Sequence, residues 1–325
     1  MRRLRVLAAI LSTLIVLAIA VTAFVWVYRP GMKAYAAHRY VPPSSPGALT
    51  ATWFGVTAVL LSDGDSSIFI DPFFTRPEGI LNLALNREIA PDEGLIGRWL
   101  DSANIKRLDA VLVSHSHYDH GMDAGVVAKL TGALLVGSES TANIGRGNGL
   151  PDSQLRVVAP GSPIQLGAFT VTFIESKHAG ATGGTPTGEI TQPLVPPAHY
   201  LDYKLGGAYS VLVEHREGAI LHHGSAGFVP GALAGRHADV VFLGIAVIDD
   251  LDVYLRQVVD SVGATRIMPT HWDDFARSLN EPLTPMPVAV RLDSFFDDVK
   301  TLRPQVKVET LELGERVALF SKTGG

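Results

Sequence analysis

The chain has 325 residues, a formal charge of −5 and a pI near 6.1, so it offers no basic field that would gather a nucleic acid. It contains no cysteine, which excludes disulfides, thiolate metal ligands and a cysteine nucleophile. Any metal must be held by His, Asp or Glu.

Arg2, Arg3 and Arg5 precede an uncharged run over residues 6–28, which as a helix reaches about 34 Å, enough to cross a bilayer. The run reads as an uncleaved anchor with Trp26 and Tyr28 at headgroup level. The alternatives are a signal peptide cut near residues 34–36 and a buried core helix. The arginine cluster favours a single pass that leaves the bulk of the protein outside the cytoplasm. Residues 1–29 are therefore expected to be an anchor. Residues 30–48, with Pro42, Pro43, Ser44, Ser45 and Pro46, are expected to be a tether. Residues 49–325 show no further break and no repeat, so they should form one domain.

Within that domain, 50–54, 58–61 and 67–71 read as strands, the last two joined by a turn at 63–65. Residues 109–113 have the apolar character of a buried strand, and 122–130 follow with a helical pattern ended by Gly132. Further strands are expected at 169–175, 209–214, 219–223, 240–245 and 265–268, with helices at 251–262 and 288–302. Strands interleaved with helices in this way imply an α/β sandwich.

The sharpest signal follows the 109–113 strand: His115-Ser116-His117-Tyr118-Asp119-His120 places four metal-capable side chains in six residues. A loop of this spacing can aim two ligands at one metal and two at a neighbour. Imidazole nitrogens and a carboxylate oxygen suit zinc.

This motif resembles the His-x-His-x-Asp-His loop of the metallo-β-lactamase superfamily, and the resemblance runs from Thr50 to Phe320. Asp71 closing an early strand, His178 after a later one and His271 near the C-terminus fall in the family's order. The resemblance implies a four-layer αβ/βα sandwich with metals at one edge. It implies that His115, His117 and His178 ligate a first metal and that Asp119, His120 and His271 ligate a second. Asp71 would steady the ligand loop by hydrogen bonds.

One position departs from the family pattern. Where a metal-bridging aspartate is usual, this chain has Ser225, and a neutral hydroxyl is a poor zinc ligand. One zinc is then expected to be tightly held and the second site weaker or empty. His223, two residues earlier, could supply an imidazole and act in catalysis; the alternative is a strand-end histidine that hydrogen-bonds the loop.

The Gly- and Pro-rich stretch 179–207 could form a lid, with His199, Tyr200 and Tyr203 lining a substrate site, or be a mobile excursion. His38, His215 and His237 read as solvent-exposed.

A zinc ion with an open position lowers the pKa of its water to about 7, so the expected activity is hydrolysis by a metal-bound hydroxide that Asp119 helps to orient. Tyr118, His223 and a tyrosine of the lid are candidates for the leaving-group acid. The ligand loop and residues 270–274 look more like N-acylphosphatidylethanolamine phospholipase D and the ascorbate-phosphate lactonases than like true β-lactamases. That comparison leaves open whether a phosphodiester or a carboxyl ester or lactone is cleaved. The expected substrate is a small or lipid-like molecule. The competing reading, which rests on Ser225, is a catalytically silent binding or assembly protein on the same fold.

Overall fold

The computed structural model describes residues 2–27, 31–77, 79–180, 186–287 and 289–322. Helix α1 (Arg2–Val27) is long and apolar enough to cross a membrane, and its 5–24 stretch is 0% buried. A signal sequence passes the same test. Tyr28 and the side chain of Trp26, proposed as a headgroup belt, lie outside what is described.

Strands β1 (Thr50–Trp53), β2 (Val59–Ser62) and β3 (Ser67–Ile70) form the expected antiparallel start. After them come α2 (Ile80–Ala84), β4 (Glu88–Ile89) and α3 (Glu93–Ser102), the last begun by Asp92, whose carboxylate accepts the N–H of Leu95. Strand β5 (Ala110–Leu112) leads into α4 (Tyr118–Gly121) and α5 (Ala124–Thr131), which ends on Gly132 at a left-handed φ of 70°. Then follow β6 (Leu134–Gly137), α6 (Glu139–Gly147), β7 (Leu155–Val157), β8 (Pro163–Leu166), β9 (Phe169–Glu175) and β10 (Ala198–His199). The remaining elements are β11 (Tyr209–His215), β12 (Gly218–His223), β13 (Val240–Gly244), α7 (Leu251–Val258), β14 (Arg266–Thr270), α8 (Leu292–Leu302), β15 (Lys307–Val308) and β16 (Arg316–Ala318). Helix α8 begins later than the apolar pattern suggested, and residue 288 lies outside the described residues.

These strands make two seven-stranded mixed sheets, ordered β16-β1-β2-β3-β5-β6-β7 and β15-β14-β13-β12-β11-β9-β8. Each has an antiparallel half and a parallel half. One continuous apolar core joins them, with Leu61, Phe69 and Val111 from the first sheet and Phe173, Val211 and Phe242 from the second. Helices α5 and α6 pack on β5 and β6, and α8 packs on β15. The α/β sandwich expected from the alternation of elements thus takes the form of two mixed sheets with helices packed on them.

Residues 31–48 are not a free tether. A 3-10 turn, Met32–His38, buries Tyr35, and the His38 ring stacks on Phe296 of α8 at 3.7 Å. Tyr40 is buried as well; its backbone N–H donates to the Thr310 carbonyl, and its hydroxyl donates to the Ala318 carbonyl. The N–H of Gly47 donates to the Phe320 carbonyl, and the N–H of Lys322 donates to the Ser45 carbonyl. The proline and serine content signalled an irregular backbone correctly, but not that two tyrosines would pin that backbone to the domain.

Candidate metal centre

The residues singled out by the sequence motif all leave the C-terminal ends of strands. Asp71 follows β3, His115 to His120 follow β5, His178 follows β9, Ser225 follows β12 and His271 follows β14. Strand ends of this kind are where an open α/β sheet gathers ligand-binding loops. Two groups result: His115, His117 and His178 in one, and Asp119, His120 and His271 in the other. Within each, the possible ligand atoms lie within 4.8 Å of one another. The two groups touch, since the His115 and His120 rings are 3.7 Å apart between centroids.

The hydrogen bonds show how each ring is held. His117 Nε2 bonds the Pro186 carbonyl at 2.8 Å, which leaves Nδ1 as its uncommitted nitrogen. His178 Nδ1 bonds the Ala179 carbonyl at 3.0 Å, which leaves Nε2. The Nε2 atoms of His115 and His120 are buried without any hydrogen-bond partner. Orphaned buried nitrogens are costly unless something occupies the space they face. A cation in each group would satisfy its orphan, so the donor set fits metals of the kind that take imidazole and carboxylate.

Charge agrees with this fit. Burial, together with the neighbouring His120 and His117, holds His115 well below the usual imidazole pKa. Burial and His117 bring His178 down to about 4. Both rings are therefore neutral near pH 7, as ligands must be. In the other group burial opposes ionisation, but His120 and His271 overcome it and hold the Asp119 carboxyl well below the usual range. Conversely, Asp119 and Asp71 keep His120 above its ordinary value despite its burial.

Asp71 sits beneath the ligand loop. Its carboxylate accepts from the Ser114 N–H at 2.7 Å and from the Ser114 hydroxyl at 2.6 Å, and bonds His120 Nδ1 at 2.8 Å. Thr57, which the motif did not reveal, adds a hydroxyl 2.9 Å from the same His120 nitrogen and 3.1 Å from Asp71. Thr57 belongs to the turn between β1 and β2. In that turn Gly55 adopts φ 88°, and a β-carbon there would collide with Arg76. Four residues at or beside the site, Val56, Asp71, Val247 and His271, hold left-handed φ values of 45–58°. Non-glycine residues take that conformation at a cost and only where their surroundings enforce it.

Several expectations need correction. His223 does not reach the centre: its ring is buried, with Nδ1 on the Ser210 hydroxyl at 2.7 Å and Nε2 on the Gly227 carbonyl at 2.9 Å. Neither nitrogen is left for a metal or a substrate, so the ring is the strand-end residue of the alternative reading. His199 is exposed, bonds the Asn86 carbonyl and lies in the short β4–β10 pair, away from the site cavity. Tyr203 is buried in a small satellite core and does not line that cavity, whereas Tyr200 does. Of the 179–207 stretch, residues 181–185 lie outside the described residues, and the described part from 186 onward is tied to the domain. The Ser116 N–H donates to the Leu205 carbonyl, and the Asn143 side chain of α6 donates to the Ile190 carbonyl. Among the other histidines only His237 is exposed; His215 is paired with Asp63 in a side-chain contact closed to solvent.

Ser225 belongs to neither group. Its hydroxyl accepts the N–H of Ala179 at 2.8 Å and so fixes the chain just after His178. It does border the cavity above the centre, roughly 160 Å³ in volume, whose walls include Tyr118, Tyr200, Phe275 and Met286.

The model of the metallo-beta-lactamase superfamily matches residues 51–244, more than half of the chain, and that span contains the ligand loop and His178. The chain belongs to the metallo-beta-lactamase superfamily. Within it, a protein of Anaeromyxobacter dehalogenans (strain 2CP-C) called UPF0173 metal-dependent hydrolase is 30% identical over 172 residues, 49% of this chain and 57% of that protein. The match thus spans little more than half the length of that relative. A Myxococcus xanthus protein of the same description is 26% identical over 298 residues, 89% of this chain and 90% of its own. Igni18, described as a novel metallo hydrolase from Ignicoccus hospitalis, shares the fold with a TM-score of 0.55 at 18% identity, over 83% of this chain and 97% of its own.

Proposed function

We propose that this member of the superfamily is a membrane-anchored, metal-dependent hydrolase that uses zinc to cleave an ester-type bond in a small or lipid-like substrate, with its catalytic domain outside the cytoplasm. The observation that carries the reading is the pair of buried, partnerless Nε2 atoms of His115 and His120 at the junction of the two ligand groups. His115, His117 and His178 would hold the tighter ion, and Asp119, His120 and His271 the weaker one. A dication there would polarise the carbonyl or phosphoryl oxygen on which charge accumulates and would make a water acidic enough to supply hydroxide near pH 7.

The chain's own residues do the rest. Asp119, ionised throughout the physiological range, accepts a proton bond from the attacking water and orients it. Asp71 and Thr57 keep the His120 ring from rotating. Burial and the Asp119 charge push Tyr200 up to about 12 and hold Tyr118 well above the usual phenol value, so both phenols keep their protons and can donate to the departing oxygen. The anchoring reading rests on α1, whose apolar 5–24 stretch is long enough to cross a bilayer and is not buried in the domain.

The test is elemental analysis and ester, lactone and phosphodiester turnover on the full chain in detergent, beside His178→Ala and His237→Ala. His178→Ala should lose metal and activity together, and His237→Ala should lose neither. Wild-type metal content in His178→Ala would overturn the assignment. A metal-loaded protein inert towards every reporter would favour the silent binding protein.

A further inference from the structure

Besides the metal-binding groups and Ser225, the cavity above the centre has apolar and aromatic walls. Ala179, Val247, Phe275, Met286 and Ala289 are apolar, Tyr118 and Tyr200 are aromatic, and among the described residues no Lys or Arg borders it. A phosphate ester presents charged oxygens that take no part in bond cleavage and need cationic or N–H partners of their own. Among the described residues, no side chain of this cavity outside the metal-binding groups supplies a cationic one.

A second cavity of roughly 380 Å³ adjoins the first, since Val247 and Ala289 border both. Their backbones are linked, Val247 N–H to Ala289 carbonyl at 3.2 Å, so the pair forms a saddle shared by the two spaces. Ile245 and Phe295, both 4% exposed, and the half-buried Leu251 line this second space with apolar surface. Its charged residues, Asp249, Arg291 and Asp298, are exposed, and the two carboxylates outnumber the guanidinium.

We infer that the substrate is an uncharged carboxylic ester, thioester or lactone whose apolar arm crosses the Val247–Ala289 saddle and lies in the second cavity against α8. This inference deepens the hydrolase reading and rests on it for the reacting bond. Recognition of the arm rests only on the cavity walls and can be measured without turnover.

The experiment is calorimetric titration of the chelator-treated full chain in detergent with propanamide, octanamide and octyl phosphate. Octanamide should bind on the order of tenfold or more tighter than propanamide, because each buried methylene contributes about fourfold. Ala289→Phe, which fills the saddle, should reduce that ratio towards one. Ile248→Asp, which charges the second cavity without adding bulk, should do the same, so the result does not hang on one variant. Octanamide binding no tighter than propanamide, or octyl phosphate binding as tightly as octanamide, would overturn the inference. Chain-length-dependent binding with no turnover of octanoate esters by the metal-loaded protein would sink the hydrolase reading while the arm site stood.

Discussion

The backbone N–H of His271 donates to the carbonyl of Val56 at 2.8 Å, and both residues hold left-handed backbones, φ 56° and 45°. Val56 is fixed in turn by Asp273, whose carboxylate accepts the Val56 N–H at 2.8 Å and pairs with Arg76 at 2.6 Å in the interior. A turn from the first sheet thus sets the angle at which a ligand from the second enters the site.

Asp273→Ala should therefore cost about 3–5 kcal/mol, since it strands the Arg76 guanidinium in the interior. Adding Arg76→Leu should recover part of that loss, because the unpaired charge is then gone. Urea unfolding of wild type and the two variants checks this. A single variant as stable as wild type would show that water reaches Arg76 and that the pair does not hold the turn.

Introducing Ser225→Asp should raise the metal content from near one per chain towards two at a fixed free zinc concentration. A carboxylate there can still accept the Ala179 N–H while offsetting the repulsion between two dications. Elemental analysis after dialysis gives the number. Two tightly held metals in the wild type would refute the one-ion reading.

His223 makes a pH prediction. Burial brings its pKa down to about 4, against about 6.5 in the unfolded chain. Between those values the unfolded chain binds a proton that the folded chain refuses. Stability from this group is complete above pH 6.5 and falls as pH drops towards 4, by about 3 kcal/mol in all. His223→Gln can keep bonds to Ser210 and Gly227 without titrating. Its chelator-treated form should lose less stability than wild type between pH 7 and pH 4.5 in urea unfolding, and equal losses would clear His223 of the effect.

A chain cut to begin at residue 49 should be less stable than one cut at residue 31 by about 3 kcal/mol or more. The shorter chain loses Tyr35 and Tyr40 and exposes Phe296. Equal thermal midpoints would mean that the 31–48 segment rests on the domain without stabilising it.

The contrast between ligand loop and tether shows what the sequence carries. His115 to His120 were legible because their chemistry and their position after an apolar strand lie in one short window. His223 was not, because strand periodicity gives the face a side chain points to but not what already occupies its nitrogens. Thr57 sends no signal at all, since a threonine near a strand end is an ordinary sight. Helix α6 escaped because Ser140, Thr141, Asn143, Gly145 and Gly147 are weak helix formers. Its stability comes from Ser138, whose hydroxyl accepts the Thr141 N–H, and from packing on β6. Tyr35 and Tyr40 find partners more than two hundred residues away, which no local pattern records.

The clasp between residues 45–47 and 320–322 gives the domain a direction in which it resists being pulled. Tension on α1 would reach the folded body along the Tyr40–Thr310 and Gly47–Phe320 contacts before it reached β1. Load would pass at once to the C-terminal segment beside β16, and the contacts would have to shear together instead of peeling one at a time. Extraction of such a protein by its apolar helix should meet its main resistance at this seam. Pulling single molecules from residue 31 should then show one early force peak, and Tyr40→Ala should lower it.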